Sequence, residues 1–173
     1  MHAIIVRTTV PMLLVLTLAL SFAGEPPTPQ ASSAPSIEGT YQFISRQLPD
    51  GTMRRPPNIM GLCTYTKSRR NFNIVEKDAT GKFSSTSRVS TYKLTATEYS
   101  ETLLFHIVNN QIGGQDIVYD LSGQTGSAPV TVEAGRIQFK APLSTSQRSY
   151  VFEGNKWTST SAEGSVDVWE KVE

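Results

Sequence analysis

A chain of 173 residues with 16 Lys+Arg against 15 Asp+Glu is sized for one domain. It carries too little net charge to attract phosphate backbones or anionic membranes in bulk, which argues against nucleic acid as a partner. Cys63 is the only cysteine, so an internal disulfide is excluded and a zinc site is short of ligands.

The N-terminus reads as a secretory signal peptide over residues 1–23. Arg7 precedes an apolar run, Met12 to Leu20, and Ser21-Phe22-Ala23 supplies small residues for cleavage after Ala23. The apolar run is too short for a comfortable membrane span, so no stable span is expected after processing. Loss of Arg7 leaves 15 basic against 15 acidic residues from the 16 and 15 of the whole chain. The expected location is secreted or periplasmic. Residues 24–37 hold four prolines and little that could join a core, which predicts a disordered Pro/Ser-rich leader. The folded domain is expected over 38–173.

From Gly39 the chain is a series of short β-like runs. Thr40–Ser45 alternates, with Tyr41 and Phe43 on one face, and Pro49-Asp50-Gly51 has turn chemistry. Met60–Thr66 and Asn71–Val75 come next, and Asp78–Gly81 makes a tight connection. Lys82–Ser87 and, beyond Arg88, Val89–Thr95 continue the pattern. Tyr99–Val108 is the longest run. Ile117–Leu121 follows, with loops expected at 109–116 and 122–129. Val130–Val132 and Ile137–Phe139 form a hairpin, Gly154-Asn155 turns Tyr150–Phe152 into Trp157, and Ser165–Val172 closes the chain. No window longer than about ten residues shows helical spacing. Nine or ten short strands in sequential hairpins predict an all-β fold, an antiparallel up-and-down β-barrel of about 8–10 strands.

Gly61-Leu-Cys-Thr-Tyr-Thr-Lys-Ser-Arg-Arg-Asn-Phe-Asn-Ile-Val75, Gly81, Ser90-Thr-Tyr-Lys-Leu94, Thr97–Thr102, Gly154–Trp157 and Val168–Val172 follow one another in an order that resembles bacterial lipocalin-like domains, over about residues 38–172. The resemblance implies a calycin-type barrel whose interior takes a small apolar molecule. Lipocalins proper begin with Gly-x-Trp and close the barrel end with an arginine. Here Tyr41 and Lys171 occupy those places, and the resemblance implies a smaller stack of the ring over the cationic stem.

Catalytic constellations are scarce. His106 is the only histidine after processing. No phosphate-cradling glycine loop, nucleophile elbow or His-Glu-x-x-His is present, and neither metal nor cofactor is expected. Buried Cys63 is expected to be inert. Strict alternation places Tyr99, Glu101, Leu103, Phe105 and Ile107 on one face and His106 on the other. If that face points inward, Glu101 is a carboxylate in an apolar lumen and must be paired, with Arg69, Arg70 or a tyrosine hydroxyl as partner. Tyr41, Tyr92, Tyr99, Glu101 and Phe105 are therefore the candidate ligand-binding residues. The competing reading is a structural pair that closes one end of a filled barrel. The leading expectation is an exported non-enzymatic binding protein or carrier for a small, largely apolar molecule. A protein-interaction or envelope accessory module and, more remotely, a barrel isomerase or hydrolase using Glu101 or His106 are the alternatives. A one-residue change of register would exchange every inward and outward assignment.

Overall fold

The structure is a computed structural model and describes residues 34–173. The expected signal peptide and residues 24–33 of the leader lie outside the described residues. Twelve strands are present and no helix is found among the described residues: β1 (Gly39–Gln47), β2 (Met53–Arg54), β3 (Ile59–Tyr65), β4 (Arg69–Lys77), β5 (Phe83–Leu94), β6 (Glu98–Asn110), β7 (Gln115–Asp120), β8 (Thr125–Glu133), β9 (Arg136–Lys140), β10 (Ser149–Glu153), β11 (Lys156–Thr160) and β12 (Val166–Lys171). All pairings are antiparallel. The order β1-β3-β4-β5-β6-β8-β9-β10-β11-β12 returns to β1 through the β12–β1 pairing, so ten strands close a barrel, while β2 and β7 flank it on β1 and β6. The closed up-and-down barrel that the hairpin spacing predicts is the observed fold, and it is consistent with the calycin-type barrel that the resemblance implies.

Alternation builds the core. In β1, Tyr41, Phe43 and Ser45 are buried while Gln42 and Ile44 between them are exposed. On β12, β11, β10, β9, β6 and β5 six rings, one from each strand, lie nearly parallel. Trp169 stacks on Trp157 (centroids 4.9 Å apart), Trp157 on Phe152 (5.5 Å), Phe152 on Phe139 (5.9 Å), Phe139 on Tyr99 (4.2 Å) and Tyr99 on Tyr92 (5.7 Å). Tyr99 reaches Phe139 although β8 lies between their strands, because its direct partner on β8 is the small Ala128. Each stacked pair adds roughly 0.5–1.5 kcal/mol beyond the area it buries.

Three sequence expectations change. Residues 125–129, expected in a loop, are strand, because β6 offers Glu98–Thr102 as a pairing edge and the small Gly126 leaves room for Pro142 and Leu143 against it. The two runs on either side of Arg88 are one strand, β5. Ile37, placed in the leader, is 2 % exposed, and its carbonyl accepts a hydrogen bond from the Tyr41 hydroxyl (3.2 Å).

Gly61 sits on the inward face of β3 between Ile59 and Cys63. A Cβ there would lie 2.6 Å from the Trp169 ring and 2.9 Å from the Asn73 carbonyl oxygen. The Trp169 indole fills the space that any larger residue would need. Gly61→Ala is therefore expected to destabilise the domain by about 1–3 kcal/mol through overpacking, read as a lower urea midpoint at unchanged slope.

Candidate functional site

The barrel is filled toward one end and hollow toward the other. At the filled end Tyr41, Tyr65, Tyr92, Tyr99 and Phe152 pack together. Burial pushes the Tyr41 hydroxyl up to about 12 and the fully enclosed Cys63 thiol up to about 11, so the thiol stays protonated. The Tyr41–Lys171 stack implied by the resemblance is not formed among the described residues. Tyr41 packs edge-on against Tyr65, Phe152 and Trp157, and the Lys171 stem lies over Gly39.

Above this layer lies a desolvated ion pair. Arg70 (2 % exposed) and Glu101 (1 %) meet through Nη1 and Oε1 at 3.0 Å. Ser90 Oγ donates to the same carboxylate oxygen at 2.6 Å, and the Tyr99 hydroxyl donates to the other at 3.3 Å. Arg70 Nη2 donates to the Tyr150 hydroxyl at 3.1 Å, and the guanidinium lies over the rings of Tyr65, Phe72 and Tyr150. Burial alone would raise the Glu101 carboxyl. The Arg70 charge, the Ser90 hydrogen bond and the Arg88 charge outweigh it and hold the carboxyl below the ordinary range.

The hollow above owes its shape to β6. Ser90 opposes Leu103 and Val89 opposes Phe105, so Leu104 is an extra residue in β6. A β-bulge of this kind re-aims every side chain that follows. His106 and Val108 consequently face inward with Glu101, whereas Phe105, expected to line the lumen, turns to the outer face beside Val89. Past the bulge β6 also changes partner, from β8 (Glu98–Thr102) to β7 (His106–Asn110). Loop 141–148 stands there instead, held by Arg88 Nη2 donating to the Leu143 carbonyl at 3.0 Å. A cavity of about 280 Å³ results. Phe72, Ile74, Val108, Trp157 and Trp169 form its apolar wall, and Arg46, Arg70, Arg88, Arg148, His106, Ser144 to Ser146, Ser159 and Asp167 its polar one.

Most of these charges are spent on one another. Asp167 takes a bidentate grip from Arg46 (2.6 and 2.8 Å) and a further bond from Arg148 (3.0 Å). Glu76 pairs with Arg46 at 3.3 Å and with Arg54. Arg88 alone among the four arginines of the wall has no carboxylate partner in the described residues. Arg70 Nε, Trp157 Nε1 and Trp169 Nε1 are buried donors without an acceptor among the described residues, and all three residues line the cavity.

Of the candidate residues, Tyr41, Tyr92 and Tyr99 lie in the packed layer, Glu101 is consumed by Arg70, Ser90 and Tyr99, and Phe105 faces outward. None lines the cavity. Arg88 was within reach of sequence reasoning, since alternation back from Tyr92 through Ser90 puts it on the inward face. His106 was not, because nothing in Leu103-Leu-Phe-His-Ile announces the bulge.

Glu101→Ala is expected to cost about 3–5 kcal/mol, because it strands the Arg70 charge in the core, and the Arg70→Met/Glu101→Leu double variant is expected to cost less. The carboxylate contributes stability above its unfolded pKa and loses it as pH falls through its lowered folded value. Glu101→Gln is therefore expected to flatten acid unfolding at the low end of the carboxylate range. His106 is held below its ordinary value by burial and then by Arg88, so its neutral form is the folded one. Stability is lost as pH falls below the free imidazole value, and His106→Gln is expected to remove that loss between about pH 7 and pH 5, read as unfolding midpoints.

No family model matches the chain, and no curated protein or solved structure matches it either, so the functional reading rests on this geometry.

Proposed function

We propose that this protein is an exported, non-enzymatic, lipocalin-like binding protein that carries one small molecule in the open half of its barrel. The observation that carries the reading is the half-filled lumen. A packed aromatic layer and a locked ion pair make a rigid floor, and above it lies a hollow of about 280 Å³, close to the lower bound of common ligand pockets. Five large apolar side chains on one wall and a polar rim on the other fit a molecule with an apolar body and a polar end. The sequence adds the export signal. The outer faces of β9 and β11 expose Arg136, Gln138, Lys140 and Lys156, which suits a barrel that stays in water.

A second reading has its own observation. Among the described residues β7 pairs only with β6, whose His106 and Val108 line the cavity, and Val118 (58 %), Tyr119 (65 %) and Leu121 (75 %) on and just after β7 are strongly exposed. An apolar strand edge of this kind suits a protein partner.

Both tryptophans of the chain line the cavity, so a lumen ligand is expected to shift their emission. Native mass spectrometry of protein purified gently from its exporting host is expected to show an extra small-molecule mass that disappears on denaturation, together with altered tryptophan emission. A bare polypeptide mass, with emission that no small amphipathic molecule changes, would favour the partner reading. That reading requires Tyr119→Asp to abolish capture of the partner.

A further inference from the structure

We propose that the molecule this cavity takes is an organic monoanion, a carboxylate on a compact apolar body, with its charged end against Arg88. The inference rests on the reading of the lumen as a ligand site and names the chemistry of the ligand.

The cavity wall is short of negative charge and of hydrogen-bond acceptors. Four arginines line the cavity, and three of them have carboxylate partners: Arg70 holds Glu101, while Arg46 and Arg148 share Asp167 and Arg46 shares Glu76 with Arg54 outside the wall. Among the described residues one guanidinium, Arg88, is left with a single backbone carbonyl as its partner, Leu143 at 3.0 Å. A guanidinium has five N–H donors, so most of its bonding capacity is unspent. The other unpartnered atoms of the wall, Arg70 Nε, Trp157 Nε1 and Trp169 Nε1, are also donors. None of them is an acceptor. A buried donor left without an acceptor costs free energy, and it is most strongly satisfied by an ionised acceptor.

One wall guanidinium without a carboxylate partner matches one negative charge at that point. A second anionic group would meet Asp167 and the already paired arginines. The wall of Phe72, Ile74, Val108, Trp157 and Trp169 offers an inorganic ion nothing, and it favours a ligand that brings apolar surface with it.

The test uses the full chain with octanoate, its neutral isostere octanamide, and inorganic phosphate, read by tryptophan emission and by calorimetry. Wild type is expected to bind octanoate at least tenfold more tightly than octanamide and not to bind phosphate. Arg88→Gln is expected to weaken octanoate by roughly 10- to 100-fold while leaving octanamide within about twofold. Arg88→Lys keeps a charge and a donor for the Leu143 carbonyl and is expected to stay within about fivefold of wild type for octanoate. Equal binding of octanoate and octanamide by wild type, or Arg88→Gln weakening both alike, overturns the anion inference and leaves the lumen reading standing. Phosphate binding as tightly as octanoate overturns the organic class. If neither octanoate nor octanamide binds, the lumen reading falls and the inference with it.

Discussion

The architecture depends on the Arg70–Glu101 pair. Two ions at about 1–2 % exposure are tolerable only when nearly every lone pair and proton is matched. That requirement fixes Ser90 on β5, Tyr99 on β6 and Tyr150 on β10 around a single point on the barrel axis. Strands far apart in the chain are thereby held in one register, since a slip of one residue would carry Arg70 or Glu101 to the outer wall and leave its partner bare. The pair also marks a boundary, with the packed tyrosines and Phe152 below and a hollow above.

The hollow follows from one extra residue. Without the bulge at Leu104, β6 would carry Phe105 and Ile107 inward, and the open end would fill with apolar bulk. With it, His106 and Val108 face inward, the end of β6 is free to pair with β7, and loop 141–148 stands where a strand would otherwise close the wall. The rim stays rigid because Arg46, Arg148 and Asp167 join β1, β12 and the start of β10. For the carrier proposed above, an ion-paired rim over a packed floor is a preformed site, which spares a ligand the cost of ordering it.

Much of this was legible in the chain. Period-two alternation and turn chemistry place ten of the twelve strands at or near their observed positions, and the need to pair a buried carboxylate points from Glu101 to Arg70 and a tyrosine hydroxyl. Glu101 is held by Arg70, Ser90 and Tyr99 and does not line the cavity. Tyr41, Tyr92 and Tyr99 face inward as alternation requires, but at the filled end. Two-residue β2 is too short to leave a pattern, and the β8 segment 125–129 looks like a loop because Gly126, Ser127 and Ala128 were suited to close packing instead of to strand propensity.

The sequence by itself determined the all-β barrel, the inward set of each uninterrupted strand and the necessity of an ion pair, because these follow from local alternation and from the cost of a bare buried charge. Only the tertiary structure decided where the lumen is open, that His106 and Arg88 share it, and that Phe105 does not. Those outcomes turn on a bulge and on which strand β6 pairs with at each height. A bulge is set by the fit between two strands and the loop beside them, and no residue of either strand records it alone.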